Sequence, residues 1–330
     1  MSGLHHAPGG GFRNPWPGGA LARLSGFLKW KVVERFTRPR APDPPPGAFP
    51  VLAPAFHSPR AAPDAVTVTW VGHSSFLLQI GGRNVLTDPV WSDRVSPVSW
   101  AGPRRWAAPG IPFDALPPID VVLQSHNHYD HLDDATVRRL IVAHPRAQWL
   151  VPLGLPAFVA ARGGTTVTEH DWWDVAESGG VTFGCAPAQH FSARGFTDRN
   201  RTLWCGWAIV AGKRRIFFAG DSGYHPEFAA IGARFGPFDV SLLPVGAYDP
   251  RWFMRPVHMN PEEAVRAYRD LHAAHDSAAR GAFVPMHWGT FRLTDEPMTE
   301  PPERAARAWR EAGLPAAGFW RLAHGETRAR

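Results

Sequence analysis

Cysteine is scarce in this chain of 330 residues, since only Cys185 and Cys205 occur. Two cysteines exclude a disulfide scaffold and a cysteine-rich zinc module, and such usage is typical of a reducing compartment. We therefore expect a cytoplasmic protein. Both cysteines lie in strand-like runs, and we expect them to be buried as small hydrophobic side chains rather than to act as nucleophiles.

Long apolar runs are also missing. No uninterrupted stretch approaches the roughly 20 residues that a membrane-spanning helix needs. The first residues, MSGLHHAPGGGFRNPWPGG, lack the basic segment followed by an apolar one that marks a secretory signal. With 44% hydrophobic and 19% charged residues, the chain has the composition of a globular protein rather than a disordered one.

The body of the chain lacks net charge. Residues 63–330 carry equal numbers of basic and acidic side chains, so the whole net charge of +6 lies in residues 1–62. A nuclease would carry its basic excess around its working face, so this distribution disfavours a nucleic-acid partner. A basic N-terminal arm is instead typical of contact with anionic lipid or with acidic partners.

Residues 18–36 have the pattern of a basic amphipathic helix. Leu21, Leu24, Leu28 and Val32 recur at helical spacing, Phe27 and Phe36 widen the stripe, and Trp30 is a candidate interfacial anchor. Two interpretations stay open: the helix lies on a membrane surface, or it packs its stripe on the protein's own core. Nine prolines follow within residues 39–63. We therefore expect residues 1–64 to form an N-terminal segment that ends in a strap, and residues 65–330 to form one folded domain.

The pattern of apolar residues from residue 65 onwards predicts the fold class. It predicts strands at 66–72, 75–80, 83–89, 119–125, 148–151, 181–186, 202–210, 215–219 and 238–244. It predicts helices at 134–144, 225–233, 261–274 and 302–312. Because strands come in groups and helices are interspersed mostly later, we expect a layered α/β protein with mixed sheets rather than a regular doubly wound fold.

The strongest chemical signal is the segment SHNHYDH at residues 125–131, which places four potential metal ligands directly after an apolar strand. Imidazole and carboxylate groups suit zinc and similar ions. Ligands at this spacing cannot all reach one ion from a helix face, but a tight loop can direct alternate side chains to two neighbouring ions. His190, Asp221 and His287 each follow another apolar run, and functional residues gather in such strand-end loops.

This series, HxHxDH followed by a histidine, a Gly-Asp pair and a final histidine, resembles the ligand series of the metallo-β-lactamase-fold hydrolases. Further segments resemble the branch of N-acylphosphatidylethanolamine-hydrolysing phospholipases D. They include NPWP (14–17), TWVGHSSFLLQ (69–79), LTDPVWSDRVSP (86–97), DWWD (171–174), FFAGDSGYHPEFAAIGARFGPFD (217–239), GAYDPRWFM (246–254) and HWGTF (287–291). The resemblance covers about residues 14–327, and the segments at 217–239 and 246–254 are specific for the branch.

The resemblance implies an αββα sandwich of two mixed sheets flanked by helices, with two zinc ions at one edge. It implies that His126, His128 and His190 hold the first ion, that Asp130, His131 and His287 hold the second, and that Asp221 bridges both. Iron or manganese stay alternative metals. Asp130 and Asp221 are then the expected catalytic carboxylates, and Asp130 has a second role in orienting water or accepting its proton.

The implied reaction is hydrolysis of N-acylphosphatidylethanolamine to an N-acylethanolamine and phosphatidic acid. A hydroxide shared by two zinc ions would attack phosphorus, because the ions lower the pKa of bound water and offset the charge of the phosphodiester. The expected partners are a phospholipid substrate and a membrane surface contacted through residues 18–36. The enzyme would be cytoplasmic and peripheral on the membrane, and the resemblance is compatible with a homodimer.

Supporting or substrate-contacting roles are expected of His73, Asp88, Tyr129, His258 and Trp252. His73 and Asp88 would either hydrogen-bond ligand imidazoles or have plain structural roles. Tyr129 would face the substrate or pack inward. His258 would touch phosphate or face solvent, and Trp252 would touch lipid. The remaining histidines without supporting context are expected at the surface: His5, His6, His57, His144 and His272.

A second function stays open, namely a soluble hydrolase of the same fold that cleaves another small ester, lactone or phosphodiester. A ligand set alone does not choose the reaction, because one fold hosts many chemistries. The neutral body disfavours a metal-dependent nuclease, and the seven intact ligand positions disfavour a non-catalytic binding protein. Lipid binding by the N-terminal segment would separate the two remaining hydrolase functions.

Overall fold

The computed structural model describes residues 3–17, 24–38, 41–195, 197–275 and 281–330. Within these ranges the strands are β1 (Val66–Gly72), β2 (Ser75–Ile80), β3 (Arg83–Thr87), β4 (Val121–Leu123), β5 (Gln148–Pro152), β6 (Val167–His170), β7 (Val175–Ser178), β8 (Val181–Ala186), β9 (Gly206–Ala211), β10 (Arg214–Phe218), β11 (Val240–Pro244), β12 (Ala282–Met286) and β13 (Thr327–Ala329). The α-helices are α1 (Leu24–Leu28), α2 (Arg35–Thr37), α3 (Asp134–Ala143), α4 (Pro156–Ala160), α5 (Phe228–Phe235), α6 (Arg251–Met254), α7 (Pro261–His272) and α8 (Glu300–Glu311), and a π-helical turn (Lys29–Glu34) joins α1 to α2.

The strands form two mixed sheets. The first has the order β13-β1-β2-β3-β4-β5-β6 and the second the order β12-β11-β10-β9-β8-β7. Pairing is antiparallel from β13 to β3 and from β7 to β10, and parallel from β3 to β6 and from β10 to β12. Val68 and Phe76 of the first sheet and Phe183 and Trp207 of the second belong to one buried apolar cluster. The main core therefore lies between the sheets.

Helices cover the outer faces. Leu77 and Trp149 of the first sheet pack with Val137 and Leu140 of α3 in a second apolar cluster. The second sheet is covered by α5, α7 and α8, and buried side chains of these helices extend the main core. Strands β1 and β2 are buried along their whole length because both faces of the sheet are covered. The predicted αββα sandwich of two mixed sheets is confirmed.

Several short elements were not predicted. Strands β6 and β7 lie at the edges of the two sheets, and their side chains are half-buried or exposed. Edge strands with polar residues such as VTEH and VAES carry no clear apolar alternation, so the sequence pattern missed them. The predicted strand 202–210 begins only at Gly206, because Cys205 N donates instead to Ser125 O, a residue of the proposed ligand loop.

The described part of the N-terminal segment lies against the folded domain. Leu52 N donates to His324 O, and Ala55 N donates to Thr327 Oγ1, so the proline-rich strap follows the edge near β13. Cys185 and Cys205 are fully buried, as expected of small hydrophobic side chains. Among the described helices, none combines the length and the apolar character needed to cross a bilayer.

The expectation that Trp30 is an interfacial anchor is wrong. Its side chain is buried, its Nε1 donates to Asp295 Oδ2 at 2.6 Å, and its ring lies 5.2 Å from that of Phe253. Trp30 thus attaches the helical segment to the domain. The apolar residues around it stay exposed, namely Phe27, Leu28, Val32, Val33 and Phe36. Leu28 and Val32 therefore do not pack on the core of the protein. Residues 18–23, which include Leu21 of the same stripe, lie outside the described residues.

Candidate metal centre

Four loops at one edge of the sandwich bring the seven predicted ligands together, and two further loops add His73 and Asp88. His126, His128, Asp130 and His131 lie in the loop between β4 and α3, which turns tightly because Leu132 N donates to His128 O at 2.8 Å. His190 follows β8, Asp221 follows β10, and His287 follows β12. His73 lies in the β1–β2 turn, and Asp88 follows β3. All seven predicted ligands are thus neighbours in space, although they are up to 161 positions apart in the chain.

One group of imidazoles consists of His126, His128 and His190, whose ligand atoms all lie within 4.8 Å of one another. His128 Nδ1 lies 2.9 Å from His126 Nε2 and 3.2 Å from His190 Nε2. Burial lowers the pKa of His128 to about 3 and that of His190 to about 4, so these rings are neutral. Three neutral rings therefore direct nitrogen atoms at one point.

Hydrogen bonds at the far side of the rings fix their tautomers. His190 Nδ1 donates to Val257 O at 2.9 Å, because a carbonyl can only accept. His126 Nδ1 donates to Ser125 Oγ at 2.8 Å, since this hydroxyl gives its own proton to Asp88 Oδ2 at 2.5 Å. In both histidines the Nε2 lone pair is therefore free and faces the centre, which is the arrangement that metal-binding histidines adopt.

A second group consists of His73, Asp130, His131 and His287, whose ligand atoms also lie within 4.8 Å of one another. Asp130 Oδ2 lies 3.5 Å from His131 Nε2 and 3.4 Å from His287 Nε2. His73 Nε2 lies 3.0 Å from the same oxygen. His73 was expected to hydrogen-bond a ligand imidazole or to be purely structural; it contacts the Asp130 carboxylate instead.

Asp221 lies between the two groups. Its Oδ2 is 3.1 Å from His131 Nε2 and 3.0 Å from His287 Nε2 on one side. On the other side it is 3.8 Å from His190 Nε2 and 4.0 Å from His126 Nε2. Although burial raises the pKa of Asp221, the neighbouring His131 and His287 hold it well below the usual range, so Asp221 is a carboxylate.

Asp88 supports the ligand loop with both of its carboxylate oxygens. Oδ2 accepts from His131 Nδ1 at 2.7 Å and from Ser125 Oγ, while Oδ1 accepts from Ser125 N at 2.7 Å and from Gln124 Nε2 at 3.1 Å. Because Nδ1 of His131 donates to Asp88, the Nε2 of that ring faces Asp221. Of the two roles considered for Asp88, the structure shows the hydrogen bond to a predicted ligand imidazole.

Several residues around the centre have a positive φ angle. His73, Asp88 and His287 have φ values of 55°, 32° and 62°, a region that residues other than glycine rarely adopt and that is frequent at functional sites. Gly220 has a φ of 59°, and a Cβ there would lie 2.6 Å from Ser125 Cβ and 2.8 Å from Cys205 O. Only glycine therefore lets the Asp221 loop approach the Ser125 loop so closely.

The donor set fits divalent cations. His131 Nε2, His287 Nε2 and Asp221 Oδ1 are buried and have no hydrogen-bond partner among the described residues, which is costly unless another group satisfies them. Although burial lowers the pKa of His287, the Asp221 charge raises it to about 9. The carboxylates of Asp130 and Asp221 thus favour positive charge at the two imidazole nitrogen atoms, and a bound metal ion supplies such charge in place of protons.

The other predicted residues lie at different distances from the centre. Two alternatives were considered for the His258 side chain, namely contact with phosphate and exposure to solvent. The side chain is buried, with Nδ1 4.0 Å from Asp221 Oδ2 and its ring 5.0 Å from that of His190. Tyr129, for which facing the substrate and packing inward were both open, is half-buried and packs against the apolar cluster of Val90, Val95 and Phe291, while its hydroxyl donates to Arg194 O at 2.8 Å. Trp252 lies on α6 beside the N-terminal helical segment, with Lys29 Nζ 4.7 Å from its ring. Asn260 caps α7 together with Glu263.

Sequence reasoning missed the role of Asn14. Its Nδ2 donates to His190 O at 2.9 Å, and its Oδ1 accepts from His190 N at 3.1 Å. Asn14 is the first residue of the segment NPWP, one of the segments that resemble the family. Nothing in the sequence shows that its partner is His190, which lies 176 positions away. Two further expectations are wrong: His5 and His272, placed at the surface, are both buried.

Comparison with known proteins agrees with this architecture. The sequence model of the β-lactamase superfamily domain matches residues 83–288. An uncharacterised protein of Mycobacterium tuberculosis is 46% identical over 284 residues, which are 86% of this chain and 73% of that protein. The metallo hydrolase Igni18 of the archaeon Ignicoccus hospitalis shares the fold, with a TM-score of 0.58 at 22% identity over 81% of this chain and 98% of that chain. The fold and the domain match define a metal-dependent hydrolase of the β-lactamase superfamily.

Similarity to a further protein shows to which family within this superfamily the chain belongs. The N-acyl-phosphatidylethanolamine-hydrolyzing phospholipase D 1 of Caenorhabditis elegans is 40% identical over 265 residues, which are 77% of this chain and 71% of that protein. The chain belongs to the family of N-acylphosphatidylethanolamine-hydrolysing phospholipases D within this superfamily.

Proposed function

We propose that this protein is a binuclear zinc phosphodiesterase that hydrolyses N-acylphosphatidylethanolamine to an N-acylethanolamine and phosphatidic acid. The observation that carries the proposal is the position of Asp221 Oδ2, which lies within 4.0 Å of nitrogen atoms from both histidine groups. A single carboxylate between two clusters of lone pairs is what a site for two neighbouring cations requires. The similarity to the C. elegans enzyme supports the substrate.

In this proposal the seven predicted residues hold the ions. His126, His128 and His190 hold one ion, Asp130, His131 and His287 hold the other, and Asp221 contacts both. Zinc, when bound, supplies Lewis acidity that acidifies water and offsets the negative charge of a phosphodiester. Imidazoles and carboxylates are ligands that suit zinc, and iron accepts similar ligands.

The chain's own residues orient these groups. Asp88 and Val257 O fix the rings of His131 and His190, and His73 holds the Asp130 carboxylate at one oxygen. Although burial raises the pKa of Asp130, the neighbouring His131 holds it well below the usual range, so it stays ionised near neutral pH. Asp130 then orients a water molecule and accepts its proton. In this proposal His258, which is buried beside Asp221, contacts a phosphate oxygen.

A groove next to the centre suits a long substrate. Its volume is about 510 Å³, and it lies between the N-terminal helical segment and the loop 292–295, with Trp30 and Arg38 on one side and Arg292 on the other. Three of its lining residues, Arg292, Leu293 and Thr294, also line the depression that contains His287. Most of the lining residues are charged, namely Lys31, Glu34, Arg38, Asp249, Arg292 and Asp295. In this proposal the groove therefore receives the polar part of the phospholipid, with the phosphodiester near the metal centre.

The exposed apolar residues of the helical segment favour work at a membrane surface. Phe36 is 84% exposed, and Val32 and Val33 are more than half exposed. Lys29 and Lys31 lie on the same segment, and each basic residue near an anionic bilayer contributes roughly 1 kcal/mol of attraction. In this proposal the segment inserts its apolar residues into anionic lipid, while Trp30 holds it to the domain.

Hydrolysis of N-acylphosphatidylethanolamine in mixed micelles tests the reaction. Both products are quantified by mass spectrometry, with and without a chelator, and the metal content is measured by elemental analysis. Chelator-sensitive release of phosphatidic acid with two ions per chain supports the proposal. Two ions without release would overturn the substrate and favour the hydrolase of another small ester, lactone or phosphodiester.

Vesicle sedimentation tests the membrane surface. Phe36→Asp should weaken binding to vesicles that contain anionic lipid, and added salt should weaken the binding of the wild type. Val142→Asp is the matched control, because Val142 is 82% exposed on α3. Equal binding of both variants and the wild type would refute the membrane role of the segment.

A further inference from the structure

Residues 3–13 form a small folded arm outside the metal centre. His6 and Phe12 form a β-bridge, Arg13 N donates to His5 O at 2.8 Å, and Phe12 N donates to Asn200 O at 2.8 Å. These bonds hold the arm against the domain. They bring two consecutive histidines, His5 and His6, next to a single carboxylate, that of Asp171.

The three side chains meet with their ligand atoms directed at one another. His5 Nε2 lies 2.5 Å from Asp171 Oδ1, and His6 Nε2 lies 2.8 Å from Asp171 Oδ2. The atoms of all three residues that can bind a metal lie within 4.8 Å of one another. Each imidazole therefore faces a different oxygen of the carboxylate, so one cation between them could reach both rings and the carboxylate.

The surroundings bury His5 and leave His6 and Asp171 partly open to solvent. His5 is only 3% exposed and stacks on Trp172 at 4.1 Å, and burial lowers its pKa, so its ring is neutral near neutral pH. Although burial raises the pKa of Asp171, hydrogen bonds from His6 and His5 lower it overall, so this residue is ionised. The His6 side chain is 45% exposed, which leaves a path for an ion and room for a water ligand.

We propose that His5, His6 and Asp171 bind a further divalent ion of the zinc class at a site separate from the metal centre. Tetrahedral zinc with ligands at about 2.0–2.2 Å keeps neighbouring ligand atoms roughly 3.4 Å apart, so the atoms need to separate by less than about 1 Å. Without the ion, each Nε2 donates a proton to Asp171. When the ion binds, solvent carries that proton to Nδ1 of the same ring, and the ion takes the lone pair that is left on Nε2. The exchange is therefore balanced without another reactant.

Asn14 directly follows the arm, so the proposed site has a structural consequence. Asn14 holds the backbone of His190 through two hydrogen bonds, and the neighbouring Trp16 stacks on Trp172 and His225. An ion bound by His5, His6 and Asp171 would fasten the start of this arm to the domain. The site thus stabilises the segment that positions one of the proposed ligands, and it does so independently of any lipid substrate.

Counting metal ions in matched variants tests the proposal. The full-length wild type, His6→Ala and His57→Ala are dialysed against the same buffered free zinc concentration, and zinc per chain is measured by elemental analysis. His57 is the control because it is an exposed histidine whose backbone alone pairs with Gln79. We expect His6→Ala to hold one zinc ion fewer than the wild type and His57→Ala, whatever number the metal centre holds.

Equal zinc content in all three proteins would overturn the proposal. If His6→Ala unfolds at a lower temperature than the wild type in the presence of chelator, His6→Gln replaces it. Glutamine keeps a donor for Asp171 but lacks a ring nitrogen, and it should also lose one ion. The zinc measurement does not depend on hydrolysis. If the wild type does not hydrolyse the lipid but still holds one zinc ion more than His6→Ala, the proposed function is refuted and this site stands.

Discussion

Replacement of Asp88 by asparagine should weaken metal binding although Asp88 is not a proposed ligand. The carboxylate accepts four hydrogen bonds, two at each oxygen, from His131, Ser125 and Gln124. The asparagine amide offers one oxygen and one NH2 group, so two of the four donors then face another donor. The ring of His131 loses a charged acceptor, and through Ser125 the ring of His126 loses its fixed orientation.

The magnitude follows from these contacts. Loss of a residue that orients a metal ligand typically lowers metal affinity by about 10- to 100-fold, or about 1.4–2.8 kcal/mol. At least one buried donor also loses a charged partner, so the free energy of unfolding should fall by about 1.5–3 kcal/mol. We therefore expect Asp88→Asn to fold and to release its ions at lower chelator concentrations.

The assay is the metal content that remains after dialysis against graded chelator concentrations. Asp120→Asn is the control, because Asp120 also accepts hydrogen bonds from Arg60, Arg83 and Asn84 N but lies away from the centre. It should lose stability and keep its chelator midpoint. An unchanged midpoint in Asp88→Asn, or an equal shift in Asp120→Asn, would refute the reasoning.

Three further changes have expected outcomes. Asn14→Ala removes two hydrogen bonds from the backbone of His190, which together contribute about 2 kcal/mol. A chelator should therefore extract metal roughly 30-fold more readily from this variant than from the wild type, and equal extraction from both proteins would refute this positioning role. Asp221→Ala should lose at least one ion and nearly all hydrolysis, and a variant that keeps two ions and full activity would contradict the bridging position. Asp120 has a pKa below its ordinary value of 3.8, because hydrogen bonds from Arg60 and Asn84 N outweigh the effect of burial. Its contribution to stability is therefore complete above that value and is lost as the pH falls below it through the lower pKa of the folded state. Below about pH 4, Asp120→Asn should therefore lose less stability than the wild type in acid denaturation; parallel curves would contradict this.

The residues that converge at the candidate metal centre could be predicted from the sequence, because most of them follow strong local signals. His126 to His131 stand directly after a buried strand, and His190, Asp221 and His287 follow three others. Strand-end loops of packed sheets meet at one edge, so a local pattern was enough to predict that these side chains converge. Their role as ligands stays a prediction.

Residues whose surroundings depend on distant parts of the chain could not be predicted. Trp30 is buried by Asp295 and Phe253, and His5 is buried by Trp172, in each case through contacts more than 160 positions away. An amphipathic pattern or an isolated histidine carries no information about such partners. The same holds for His258, whose place beside Asp221 depends on how the segment before α7 crosses the centre.

The most direct test of the central claim is hydrolysis of N-acylphosphatidylethanolamine in water enriched in oxygen-18. If hydroxide attacks phosphorus with the help of the proposed centre, the label should appear in phosphatidic acid and not in the N-acylethanolamine. Labelling should disappear after metal removal and return when zinc is added back. Release of labelled fatty acid instead, or label transfer that persists without metal, would contradict the account.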